Sequence, residues 1–307
     1  MNAWPDFQRM LGMRARPALW LAGVLALLAP CTAQAAEPMV FVHNGMESPS
    51  DIRYTYHWQV LRAALEATVA EWGPYEMRPA PYMNETRQVA ELQKPNGLLN
   101  TMVLDTTQEL EEKLTPVRLP IDKGLLGYRV LLIRKNEQAR FHSVQTLEQL
   151  RQFSIGQGAD WSDTRILQQA GFKVVTGTAY EGLFGMLNHG RFDAFGRGAV
   201  EVQGEMTTFG RKYPNMAIEK NLLLYYPLPV YFWFGTDPAA LERARRVEQG
   251  MRLIQANGTF DLLFKAEFNG LVQSLNLKGR RLFKIDNPLL PASSKDIDKR
   301  WLYEPTK

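Results

Sequence analysis

Cysteine is almost absent from this chain. Cys31 is the only one in 307 residues. An A-x-A cleavage signal, Ala33-Gln34-Ala35, lies just beyond it, so cleavage after Ala35 removes it. The remaining chain then has no disulfide, no thiolate nucleophile and no thiolate metal site. Proline at position 30 also argues against reading Cys31 as a lipid attachment site. Long apolar runs are scarce as well. The stretch from Ala18 to Ala29 follows Arg14 and Arg16 and is shorter than the ~20 residues of a membrane-spanning helix. It reads as the core of a secretory signal peptide over residues 1–35. Net charge is small. Without those residues, 36 basic and 32 acidic side chains become 33 and 31, a net +2 over 272 residues. No basic cluster suggests nucleic acid as a partner.

Chemical motifs are equally sparse. There is no Gly-x-Ser-x-Gly elbow and no Walker loop. The histidines at 43, 57, 142 and 189 never pair at helical ligand spacing, so no metal site is expected. Asn257-Gly258-Thr259 matches a glycosylation pattern but reads as a helix stop. There is no internal repeat and no low-complexity tract.

What is present is an α/β rhythm. Ser154-Ile155-Gly156 reads as a strand and Gly156-Gln157-Gly158 as a turn. A helix over 162–170 ends at Gly171, which tolerates positive φ. A strand at 172–175 follows. Tyr180, Leu183, Phe184 and Leu187 recur at helical spacing before Gly190, and Phe192 to Phe195 is the next strand. Upstream, strands are expected at 39–43, 75–79 and 99–104, with helices carrying Trp58, Leu61, Leu65 and Val69 and spanning 85–92. Residues 125–134 form a long strand, after which the chain crosses to a second lobe. Its return runs through Pro227 and Pro229. Asp237-Pro238 opens a long helix, since Asp is a favoured N-cap and Pro fits the first turn. A short helix covers 259–268.

The runs Ser143 to Leu150, Ile155-Gly156-Gln157-Gly158 and Gly190-Arg191-Phe192-Asp193-Ala194 resemble the second lobe of bacterial periplasmic solute-binding proteins of the amino-acid type, solute-binding family 3. The resemblance extends from about Met39 to about Phe268. It implies a two-lobed type II periplasmic-binding fold: two mixed sheets flanked by helices, with a hinge of two crossover strands. Lobe 1 comprises 36–134 and 229–270, and lobe 2 comprises 135–228. Residues 271–307, which resemble the tail of one branch of the family, form a strap on lobe 1 anchored by Trp301 and Tyr303. The implied function is capture of a small polar solute in the periplasm by a monomer that closes around it and presents it to an ABC permease of the inner membrane. Cofactors are not expected.

Gly156 to Trp161 almost spells a dinucleotide fingerprint, but Trp161 stands where a small residue is required. In resembling proteins this turn contacts the ligand's carboxylate, which makes Ser162 and Asp160 candidate contacts. Trp161 either stacks on the ligand or packs between lobes. Arg197 replaces the family's usual carboxylate and would favour an anion through bidentate hydrogen bonds. Its alternative is a pair with Glu201, four residues on. Glu201 and Glu205 orient Arg197, bind a cationic group or form a solvated face. The usual lobe-1 arginine is missing from Gln108 to Glu112. Arg118 is the nearest substitute, or else braces the hinge. Tyr54 and Asn44 complete the cleft candidates. The pattern therefore favours an anionic solute. Two other functions stay open: a sensor that reports to a membrane receptor, and a dehydratase-like enzyme using Glu201, Asp160 or Asp163 as acid or base.

Overall fold

The computed structural model describes residues 37–49, 51 and 53–305. The expected signal peptide, with Cys31, lies outside the described residues. Among the described residues, twelve strands are distributed over three sheets. Strand β1 (Met39–His43) pairs in parallel with β2 (Tyr75–Pro79). A second sheet places β11 (Val230–Phe234) between β3 (Met102–Asp105) and β4 (Thr115–Val117), antiparallel to both. These make lobe 1. The third sheet is larger. It contains β5 (Tyr128–Arg134), β6 (Ser154–Gly158), β7 (Lys173–Gly177), β8 (Ala194–Gly198), β9 (Met216–Ile218), β10 (Leu222–Tyr225) and β12 (Arg281–Lys284). Its order is β12-β10-β5-β8-β6-β7, with β9 also on β5. The parallel pairs β6–β7 and β6–β8 match the α/β rhythm read between Thr146 and Phe195.

Seven helices matter for the site: α1 (Thr55–Glu66), α2 (Glu85–Leu92), α3 (Ser162–Gln169), α4 (Tyr180–Asn188), α5 (Val202–Phe209), α6 (Pro238–Ala256) and α7 (Thr259–Leu275). Asp237 caps α6 through the N–H groups of Ala239 and Ala240, with Pro238 in the first turn. Asn84 caps α2 by accepting from the Arg87 N–H. Helix α7 runs past the expected stop at Phe268: it tolerates Gly270 and ends only where Asn276 enters the left-handed region.

Burial explains the two-sided strands. Along β11, Val230, Phe232 and Phe234 join the main core, while Tyr231 and Trp233 fill a second core with Met83, Leu92 and Met102. Along β5, Val130 and Leu132 face the main core, and Leu131 and Ile133 face a third with Phe141, Phe153 and Ile166. Both strands are covered on both faces, which is why they read as unbroken apolar runs.

Four expectations are corrected. Residues 125–127 form a 3-10 turn, and β5 pairs inside the large sheet. The chain therefore changes lobes between 118 and 127, before β5 and not after Arg134. Gly156, Gln157 and Gly158 continue β6 and do not turn. An added Cβ on Gly156 would sit 2.2 Å from the Phe192 ring, and one on Gly158 would sit 2.5 Å from the Trp161 ring. These glycines let aromatic rings lie on the strand. Arg197 lies within β8, opposite Val130, and does not follow the strand. The tail does not rest on lobe 1 alone. Strand β12 extends the large sheet along β10, and Phe283 enters the third core. Only then does the tail reach lobe 1: Gln108 N–H donates to the Leu289 carbonyl, and Tyr231 hydroxyl bonds Ser294. Trp301 packs on Phe260 and Tyr303 on Phe264, both in α7.

Helix α6 crosses α1 at Gly250, where an added Cβ would lie 2.1 Å from the Ala64 carbonyl oxygen. Backbone cannot yield as a side chain can. Gly250→Ala is expected to cost about 1–3 kcal/mol, read by urea denaturation. Gly270 in α7 has nothing within 4 Å of its virtual Cβ. Gly270→Ala is therefore expected to stabilise by about 0.5–1 kcal/mol.

Candidate functional site

The strands of both lobes end at a shared cleft, as expected for open α/β sheets. Lobe 1 contributes Val103, Leu104 and Asp105 at the end of β3, together with Arg53, Tyr54, His57, Glu85 and Asp122. Lobe 2 contributes Arg129 on β5, Trp161 and Asp163 at the start of α3, and Arg197, Val200 and Glu201 after or within β8. They enclose a cavity of ≈ 70 Å³. A neighbouring cavity of ≈ 40 Å³ shares Arg53, Tyr54, Glu85 and Trp161 and continues to Asn44, Asp160 and Tyr180. Residues 37–305 belong to one compact unit.

Three guanidinium groups reach this cleft, and each is already bound to carboxylates. Arg53 makes a bidentate bond to Asp51 at 2.8 and 2.9 Å and a third contact to Glu47 at 3.0 Å. Its face lies 3.9 Å from the Tyr180 ring centroid, across the cleft. Arg129 pairs with Asp163 at 2.6 Å and donates to the Leu126 carbonyl at 3.0 Å. Tyr226 hydroxyl also donates to Asp163. Arg197 donates to Glu205 Oε1 at 2.8 Å and to Glu201 Oε1 at 2.7 Å. It packs against the rings of Trp161 and Phe195, 4.8 and 4.9 Å from their centroids. Burial raises Glu201, but Arg197, Arg129 and the Gly198 N–H together hold it below its ordinary range.

Among the described residues, the remaining carboxylates of the cleft make no ion pair with an arginine. Asp105 is buried, and its Oδ2 has no hydrogen-bond partner. Burial, then the nearby Asp163 charge, push Asp105 up to about 6. Glu85 is pushed well above its ordinary value by burial and then by Asp105. Asp122 also rises to about 6 through burial, but it accepts from the Gly124 and Leu126 N–H groups and so shapes the crossover. His57 is driven down to about 4 by burial and stays neutral.

Several residues read from the sequence meet here: Arg197, Trp161, Glu201 and Tyr54 line the main cavity, and Asp160 lines its neighbour. Asp160 is exposed, 3.4 Å from the Asn84 amide on the other lobe. Asn44 also lines the neighbouring cavity, but both its amide atoms bond the Met83 backbone at 2.9 Å, a structural use. Ser162 lies outside both cavities, beside Asp105. Arg118 is corrected: it is exposed, pairs with Glu111 at 2.7 Å and does not reach the cleft. Sequence reasoning missed Asp105, Glu85, Arg53, Arg129 and His57. Asp105 had a usable signal, since it closes a strand of a lobe-1 sheet. The arginines did not, because their roles depend on distant carboxylates. Among the described residues no cluster of three or more histidine, aspartate or glutamate side chains is arranged to hold a metal ion.

Arg197 is 2 % exposed and sits between two carboxylates. Arg197→Ala would leave Glu205 buried without its counter-ion and Glu201 without its directly bonded one. The expected loss is about 3–5 kcal/mol of stability, read by chemical denaturation. A nearly unchanged stability would contradict the structural role.

Neither a scan of protein-family models nor a sequence search of curated proteins finds a match. Solved structures do match in shape. An ancestral arginine-binding protein bound to arginine has a TM-score of 0.54 at 16 % identity, over 75 % of this chain and 98 % of that one. An arginine-specific periplasmic binding protein from Salmonella typhimurium has a TM-score of 0.55 at 14 % identity, over 75 % and 99 %. A histidine kinase sensor domain with similarity to periplasmic binding proteins has a TM-score of 0.54 at 14 % identity, over 76 % and 97 %. Within the described residues no helix is long and apolar enough to cross a membrane. Two α/β lobes, mixed sheets and a cleft at the strand ends give this chain the fold of the periplasmic binding proteins.

Proposed function

We propose that this protein is a periplasmic solute-binding protein whose cleft takes a small solute bearing a positive group, and that it hands the solute to an ABC importer. One observation carries the reading. Asp105 has a buried carboxylate oxygen with no hydrogen-bond partner among the described residues, beside a second carboxylate, Glu85, that burial and Asp105 push well above its ordinary value. A buried carboxylate without a counter-ion is costly, and an ammonium or guanidinium group supplies the missing charge. The anionic solute suggested by Arg197 loses its support, because that guanidinium is already matched by two carboxylates. Trp161 and Tyr54 offer aromatic faces to the same cavity, which suits a cation. The arginine-binding proteins of similar shape fit this chemistry.

A cavity of ≈ 70 Å³ is far below the ~300–1,000 Å³ of ordinary small-molecule pockets. Uptake therefore requires the lobes to part and to close again around a larger volume. The sensor reading has one specific support, the kinase sensor domain of similar shape. Catalysis has less. Glu201 and Asp163 are each committed to an arginine, and Asp160 is exposed at the cleft edge.

Asp105 gives two linked predictions, tested with L-arginine as probe. Its folded-state value of about 6 exceeds the ordinary 3.8. The folded, unliganded protein therefore binds its proton more tightly than the unfolded chain does. Stability from this group is complete below pH 4 and is lost as pH rises through 6. Asp105→Asn should thus stabilise the unliganded protein at pH 7.5, by on the order of 2–3 kcal/mol, with the gain fading by pH 4. The same variant should lose arginine binding by more than about tenfold. In the parent protein, calorimetry should show affinity weakening by up to about tenfold per pH unit below 6, as the cation must displace a proton. Undiminished binding by Asp105→Asn, or affinity independent of pH, would remove Asp105 from the site.

A further inference from the structure

Another cavity, of ≈ 380 Å³, adjoins the cleft and shares Arg53, His57 and Glu201 with it. It sits between α5 of lobe 2 and helices α1 and α7 of lobe 1. Its volume falls within the ordinary small-molecule range. Glu205 lines it and is 2 % exposed on its side chain. Oxygen Oε1 of Glu205 accepts from Tyr180 hydroxyl at 3.0 Å and from Arg197 at 2.8 Å, but Oε2 has no partner. Charge around it is unbalanced. Arg197 faces two carboxylates, Glu201 and Glu205, and Glu267 adds another at the exposed rim. Arg53, which also lines the cavity, is bonded to Asp51 and Glu47. Burial holds Glu205 above its ordinary range in spite of Arg197. The rings of Tyr56 and Phe268 form part of the wall.

We propose that this cavity is a second binding site, separate from the Asp105 cleft, for a small organic cation: an ammonium or guanidinium group on a short carbon body. The charge meets the carboxylates of Glu201 and Glu205, and the body lies along Tyr56 and Phe268. Because the walls come from both lobes, an occupant holds the lobes together. Glu201 lines both cavities, so each occupant alters the field felt by the other.

The test uses the Asp105→Asn protein, so that the first site is disabled. Propylammonium is titrated, with propionate as the charge-reversed control, and backbone amide shifts are followed by NMR. Saturable shifts over residues 203–207 and 267–274 are expected with propylammonium and not with propionate. Glu205→Gln should abolish them. Glu267→Gln, on the exposed rim, leaves the buried pairs intact and should weaken them by about three- to tenfold through loss of one charge. If Glu205→Gln does not fold, the Glu267 variant decides. No saturable shift in this region, an equal response to propionate, or full affinity in the Glu267 variant would overturn the proposal. Shifts around Asp105 and Trp161 in the parent protein report the first site independently, so failure of one reading is not failure of the other.

Discussion

Charge compensation inside the cleft governs this molecule. Strand ends converge there, and with them come three arginines and several carboxylates in a space largely shielded from water. A buried ion is tolerated when it is paired and hydrogen-bonded. Each arginine obtains its partners from its own lobe: Arg53 from Asp51 and Glu47, Arg129 from Asp163, Arg197 from Glu201 and Glu205. These pairs are therefore independent of the distance between the lobes. Asp105 and Glu85 are left without an arginine partner among the described residues, and burying them so is a local loss of stability.

The contacts that do span the lobes are of a weaker kind. Ser48 donates to Glu181 at 2.6 Å, Asn84 lies 3.4 Å from Asp160, and Arg165 lies 3.6 Å from Glu109. The exposed ones, those of Asn84 and Arg165, contribute little. Arg53 stacked on Tyr180 is the strongest of them, worth on the order of 1 kcal/mol. Among these polar contacts few are costly to break, and the strong ion pairs lie within single lobes. The apolar main core, by contrast, takes side chains from both lobes.

The sequence carried the fold well and the site unevenly. Periodicity at 162–170 and 180–187 and the Asp237-Pro238 cap were legible because they depend on neighbours a few residues away. Gly156 and Gly158 misled, since a glycine that makes room for a ring resembles a glycine that makes a turn. The ring that Gly156 accommodates, Phe192, lies 36 residues downstream in the numbering of the chain. Arg197 was legible as a cleft residue, because it closes a strand. Its chemistry was not, because a free guanidinium and a neutralised one have the same letter. The pair with Glu201 at helical spacing was visible, whereas the second partner, Glu205, decides the balance. Arg118 was read either as a ligand anchor or as a brace of the hinge, because nothing in the sequence shows that its partner is the largely buried Glu111, seven residues back.

The tail changes the mechanics of the hinge. Two crossings join the lobes, over residues 118–127 and 226–229. Residues after β12 make another passage beside the second: the Ile285 N–H donates to the Tyr225 carbonyl, and the Asn287 amide donates to the Pro227 carbonyl at 2.8 Å. A strap far from the hinge would be stretched by opening and would hold the cleft shut. One that runs along the hinge is only twisted, so it permits rotation while resisting sideways slip of one lobe on the other. Its ends are fixed by different means, a strand in the large sheet and aromatic contacts on α7. That arrangement aligns the two faces of the cleft, and with them Asp105 and Trp161, each time the lobes come together.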